Sequence, residues 1–136
     1  RAEARPLHLA LIDVDHFKRV NDRCSHAVGD EVLRSLGAIL RRHCREGDLA
    51  GRLGGEEFLV TFLGADAAAA RAACERLRRA VRQHDWAAVH PELAVSVSIG
   101  LAELTAAEDL ASGVALADRR LYRAKDEGRD RVCGEG

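Results

Sequence analysis

The 136 residues fit one domain with one core, and an apolar share of 47% excludes a disordered chain. The formal net charge is only -1, from 21 Lys and Arg against 22 Asp and Glu. The chain therefore lacks the basic excess with which a nucleic-acid reader grips a polyanion. Small phosphorylated ligands stay open, because they need only a few local cations and backbone N–H groups. No run reaches the roughly 18 apolar residues of a membrane span, so direct membrane contact of this segment is not expected. The chain opens at Arg1 and holds no Met, as expected of a domain, residues 1–136, excised from a longer protein. Cys24, Cys44, Cys74 and Cys133 are widely spread, with no Cys-x-x-Cys, and read as buried or incidental thiols of a cytoplasmic protein.

Leu7 to Ile12 is a short apolar run closing on Asp13-Val14-Asp15, which predicts a buried strand with acids at its C-terminal end. Phe17 to Asp22 predicts a short helix or turn. From Asp30, the residues Val32, Leu33, Leu36, Ile39 and Leu40 recur at helical spacing, with Gly47 as the stop. Leu49–Leu53 and Glu56–Phe62 flank Gly54-Gly55, the signal for a tight hairpin, since glycine accepts the positive φ of a primed turn. Ala67 to His84 predicts a second long helix with Ala70, Ala73, Leu77 and Val81 on one face. Trp86 to Glu92 reads as loop, and Leu93 to Leu101 alternates as a strand. Asp109 to Glu127 carries the stripe Leu110, Val114, Leu121 and Ala124 and closes at Gly128, a further helix. Arg131 to Cys133 adds an edge strand. A hairpin inside an otherwise alternating chain predicts an α/β domain with a mixed, mostly antiparallel central sheet flanked by helices.

Two acidic stretches carry candidate chemistry. Asp13 and Asp15, two apart at a strand end, would share one face, and Glu56 and Glu57 follow the hairpin glycines. If the first strand lies beside the hairpin, three or four carboxylates converge. Such a group repels itself and is stabilised by a hard divalent cation. Magnesium held by one or two carboxylates and by substrate phosphates is the usual arrangement in nucleotide enzymes. A turn without side chains also lets backbone approach a base or a phosphate. Taken alone, each half is as readily a turn-forming Asp or a plain Gly-Gly hairpin.

The joint pattern is more specific. Asp13-Val14-Asp15-His16-Phe17-Lys18-Arg19-Val20-Asn21-Asp22, His26 with Gly29-Asp30, and Arg52-Leu53-Gly54-Gly55-Glu56-Glu57-Phe58 occur in that order. Ser96-Val97-Ser98-Ile99-Gly100 follows, then Ala117 to Lys125 with Gly128-Arg129. In this order the chain resembles the GGDEF family of diguanylate cyclases, bacterial enzymes that make cyclic di-GMP from GTP, in its GGEEF variant. The resemblance implies a palm-like nucleotidyl cyclase fold and magnesium as cofactor, with manganese as the alternative and two ions per half-site.

It also implies roles by position. Asp13 would bind metal through its carboxylate, Val14 through its carbonyl, and Glu57 as a further ligand. Glu56 would help hold metal and take the proton from the attacking 3′-hydroxyl. Gly54 and Gly55 would lie against the nucleotide, Asn21 and Asp30 would read the guanine edge, and Phe17 and His26 fall at substrate contacts. Lys18, Lys125 and Arg129 are matched to the triphosphate, Lys18 also as a catalytic cation. Arg45 and Asp48 fit an RxxD inhibitory site for the product, five residues before Gly54, with Arg76 as a secondary contact. The family's LTGLxNRR-like N-terminal segment is not in this sequence. Partners implied are GTP, cyclic di-GMP as product and inhibitor, a second copy in a homodimer, and a sensor or receiver domain of the full-length protein. A module that only binds GTP or cyclic di-GMP is the alternative.

Overall fold

A computed structural model describes residues 6–104 and 109–135. The elements run β1 (Leu7–Val14), α1 (Phe17–Arg23), α2 (His26–Arg42), β2 (Leu49–Gly54), β3 (Glu57–Leu63), α3 (Ala67–Gln83), β4 (Val97–Leu104), α4 (Leu110–Asp126) and β5 (Val132–Cys133). The strands form one sheet in the order β2-β3-β1-β4-β5. All neighbours are antiparallel except β4 and β5, so the sheet is mixed and mostly antiparallel, as its hairpin predicts.

Alternation along β1, the central strand, decides both faces of the sheet. Ala10, Ile12 and Val14 join Phe58, Val60, Phe62, Val97 and Ile99 in a core roofed by α2 and α3. Leu9 and Leu11 point the other way and pack with Ala102 under Ala117 and Leu121 of α4. Both faces of β1 are thus dry, and each buried Leu or Ile contributes about 2 kcal/mol. α4 lies so close to β4 that a methyl group at Gly100 would overlap backbone atoms of Ala117 and Leu121. That contact fixes the height of α4, and of the side chains it carries, above the end of β1.

Four local expectations shift. Helix α2 begins at His26 rather than Asp30, because the Ser25 side chain accepts a hydrogen bond from Val28 N–H at 3.1 Å and caps it. The two hairpin turn residues are Gly55 and Glu56 rather than Gly54 and Gly55. Gly54 pairs with Glu57 after a register shift from Arg52, and only Gly55 of the two glycines has positive φ, 54°. The strand expected over Leu93–Leu101 lies over Val97–Leu104, because β1 ends at Val14 and begins at Leu7, opposite Leu104. Trp86, expected in loop, opens a short 3-10 turn and is buried, its indole N–H donating to Val81 O at 2.6 Å.

Candidate active site

Asp13 sits at the C-terminal end of the central strand, directly between Glu57 on β3 and Ser98 on β4. Pairing puts these side chains on the face of Leu9 and Leu11, under α4. From α4, Lys125 reaches down, with Nζ 3.7 Å from Asp13 Oδ1 and 3.3 Å from Asp15 Oδ1. Glu56 is tied to the same place through its backbone, its carbonyl accepting from Val14 N–H at 3.4 Å.

The two strand-end aspartates have opposite surroundings. Asp15 is buried and saturated: Ser96 Oγ and Ser98 Oγ donate at 2.7 Å each, Asp130 N–H at 3.0 Å and Lys125 at 3.3 Å. Asp13 Oδ1 is buried with no hydrogen-bond partner. Burial pushes the Asp13 carboxyl up to about 6; Lys125 opposes this, and Glu56, Glu57 and Asp15 add to it. Glu57 is likewise raised, by burial first and then by Asp118 and Glu56. A buried carboxylate oxygen without a hydrogen bond, with Lys125 at 3.7 Å and three other acids nearby, fits a divalent cation, which adds the positive charge that one lysine does not balance.

The expected convergence is narrower than three or four carboxylates. Among the described residues no three His, Cys, Asp or Glu side chains stand together at metal-holding spacing. Asp13 and Glu57 are strand-paired, Glu56 sits on the adjoining turn, and Asp15 is engaged in structure. This leaves Asp13 and Glu57 at the strand pair and Glu56 on the turn beside them, with further oxygens to come from elsewhere, as a magnesium–phosphate site requires.

The other expected residues lie on α1, α2, the hairpin and the segment after α4. Asn21 and Phe17 of α1 lie against Gly29 of α2, and a methyl group there would overlap the Asn21 side-chain oxygen. Glycine at that position is what lets Asn21 pack against α2, one residue before Asp30. Asp30 opens a cleft of about 410 Å³ between α2 and β2, with Leu33, Gly51, Arg52 and Phe58 along its walls. Arg52 also braces the hairpin, its Nε donating to Gly55 O at 2.8 Å. His26 is the exposed first residue of α2, and Lys18 is exposed on α1. Gly54 and Gly55 are exposed at the hairpin tip. Arg129 follows α4 in a left-handed conformation, φ 66°, and its charge reaches His16 at the β1–α1 turn. The His16 imidazole is held below its usual range by desolvation, then by Arg19 and Arg129.

The Arg45–Asp48 turn lies at the other end of β2, about 17 Å from the glycine turn by strand rise. Asp48 accepts from Arg45 N–H at 3.1 Å and Leu63 N–H at 3.3 Å, so its carboxylate shapes this turn. Arg45 and Arg76 are exposed, and Arg76 is near enough to lower His43 at the end of α2, after burial. Sequence reasoning singled out the Ser96 to Gly100 stretch without giving Ser96 and Ser98 a role, and it missed Asp130, Arg78 and Arg82, the other partners that hold this end of the sheet together.

A mostly antiparallel sheet with acids at the end of its central strand, flanked by helices and met there by Lys125 of α4, is the architecture of a nucleotidyl cyclase-like domain. The family model for "Diguanylate cyclase, GGDEF domain" matches residues 1–131, and the chain belongs to that family. It is 41% identical over 129 residues to diguanylate cyclase DgcP of Pseudomonas aeruginosa, covering 93% of this chain and 19% of that protein. The chain therefore spans a small part of that relative's length, and 34% of diguanylate cyclase A of Treponema denticola. Among solved structures, the active GGEEF domain of a diguanylate cyclase from Vibrio cholerae aligns with TM-score 0.87 at 31% identity, over 95% of this chain and 82% of that one. The GGDEF domain of DgcB from Caulobacter crescentus, in complex with c-di-GMP, aligns with TM-score 0.86 at 33% identity, over 95% and 77%. Among the described residues no helix is long and apolar enough to cross a membrane.

Proposed function

We propose that the chain is the catalytic domain of a diguanylate cyclase that condenses two GTP into cyclic di-GMP. The observation that carries this is the buried Asp13 Oδ1 without a hydrogen-bond partner, on a residue strand-paired with Glu57 and 3.7 Å from Lys125 Nζ. Asp13, the Val14 carbonyl, Glu56 and Glu57 would hold magnesium or manganese, two ions per half-site, with substrate phosphates completing the shell. Bound metal would polarise the α-phosphate and lower the pKa of the attacking hydroxyl.

The chain's own residues do the rest. Asp30 accepts from the N1–H and N2–H₂ donors of guanine, a pair that adenine lacks, and Asn21 both donates and accepts beside it. Phe17, His26, Gly54 and Gly55 contact the nucleotide. Lys18, Lys125 and Arg129 neutralise the triphosphate and the charge that grows on the leaving group. Glu56 takes the proton of the 3′-hydroxyl. The 3′-oxygen of one GTP then bonds to the α-phosphorus of the other, the α–β anhydride breaks, and pyrophosphate leaves. With the roles exchanged, the 3′-oxygen of the second nucleotide bonds to the α-phosphorus of the first, whose α–β anhydride breaks, closing the ring and releasing a second pyrophosphate.

One chain presents one GTP, so turnover requires a homodimer, brought together by a sensor or receiver domain of the full-length protein. Arg45, Asp48 and Arg76 would bind cyclic di-GMP as feedback inhibitor, Arg by forking to or stacking on guanine. Incubation of the chain at high concentration with GTP and magnesium should yield cyclic di-GMP, and Glu56→Ala should abolish nearly all of it. Undiminished product in that variant would remove Glu56 from the chemistry. Nucleotide binding with no product from the parent, even at high protein concentration, would leave a receptor module in place of an enzyme.

A further inference from the structure

After α4 the backbone passes through three consecutive left-handed residues, Gly128 at φ 128°, Arg129 at 66° and Asp130 at 49°. Glycine takes this conformation freely, whereas Arg129 and Asp130 are held there against their own preference. What holds them meets at Asp130. Its two carboxylate oxygens accept from Arg78 and Arg82 of α3, both at 2.9 Å. Its N–H donates to Asp15 at 3.0 Å, and the Arg129 N–H returns to Ala124 O at 2.9 Å. The Arg78–Asp130 pair is half-buried, with side chains 20% and 28% exposed, so water screens it less than a surface pair.

Arg78 and Arg82 belong to the helix on the far face of the sheet, away from Asp13 and α4. Their ion pairs fasten a loop whose neighbours on the near side are Lys125, 3.7 Å from Asp13, and Arg129, whose charge reaches His16. We propose that Asp130, clamped by Arg78 and Arg82, is a positioning residue that fixes the Arg129 backbone so its guanidinium stands ready for the terminal phosphates of GTP. This rests on the cyclase reading above. Without the clamp the loop relaxes toward ordinary dihedrals, and Arg129 must be ordered again at each binding event. The loss then falls on ligands that carry terminal phosphates and spares those that do not.

The test is calorimetry with magnesium on the whole chain, using GMP and the GTP analogue whose α–β bridge is methylene, which cannot lose pyrophosphate. Asp130→Gly tolerates φ 49° while deleting the carboxylate. It should weaken the triphosphate by about tenfold and GMP by less than about twofold, the size of one lost preorganised contact. Combined with Arg129→Ala, it should add nothing further, since both act through one guanidinium. Equal losses for the two nucleotides, full additivity, or no loss would each overturn the assignment. If Asp130→Gly does not fold, Arg82→Ala removes half the clamp at an exposed position and should cost the triphosphate about threefold; no loss there also overturns it. A parent chain that binds neither nucleotide would overturn the cyclase reading itself, and this proposal with it.

Discussion

Asp13 and Asp15 stand two residues apart at the end of one strand and share Lys125 as a neighbour, yet they do opposite work. Asp15 collects four donors from three other segments of the chain and behaves as a rivet. Asp13 keeps one buried oxygen without a hydrogen bond, met only by Lys125 at 3.7 Å, and burial first, then Glu56, Glu57 and Asp15, raise its proton affinity. A buried carboxylate with a full set of donors stabilises a fold, while one left wanting a cation destabilises it and is retained for a task. On the proposed function, the pair separates stability from chemistry within three residues.

The largest expected effect breaks the Asp13 side of the contrast. Asp13→Asn removes the charge that would hold metal, and product formation should fall by on the order of 10³-fold. The metal-free melting temperature should stay level or rise, because a repulsive buried charge has gone. A cooperative loss of melting temperature in Asp13→Asn would show that the two aspartates are both structural. Next comes Asp15→Ala, which strands two serine hydroxyls and a backbone N–H. Urea titration should find the domain about 3 kcal/mol less stable, a large share of the 5–15 kcal/mol typical of a domain. Smallest is Asp48→Ala at the opposite end of β2. Its carboxylate accepts two backbone N–H groups in an exposed turn, so about 1 kcal/mol should be lost. If Asp15→Ala costs no more than Asp48→Ala by the same urea titration, burial of the Asp15 network is not what anchors the strand end.

Much of this architecture was legible in order along the chain. The alternation of β1, the helical stripes of α2, α3 and α4, and the Gly-Gly signal all depend on periods of two to four residues, which a sequence displays directly. The motif string around Asp13 and Glu56-Glu57 also singled out two stretches that the register of β1 and β3 brings side by side. What failed locally has local reasons: the Ser25 cap extends α2 backwards, and the bulge after Arg52 moves the turn by one residue.

Other facts lay outside the reach of any window. That Asp13 faces Glu57 follows from the register between β1 and β3, which the hydrophobic faces of both strands set together. That Asp15 is satisfied depends on Ser98 and Asp130, 83 and 115 residues away, and that Asp130 is clamped depends on Arg78, 52 residues away. Most elements, their amphipathic faces and the residues able to do chemistry could be read along the chain, because short-range periodicity and side-chain type are local properties. Which acid is satisfied and which is left open is a property of the packed molecule, because hydrogen-bond donors are supplied by whichever distant segments the core brings to the strand end.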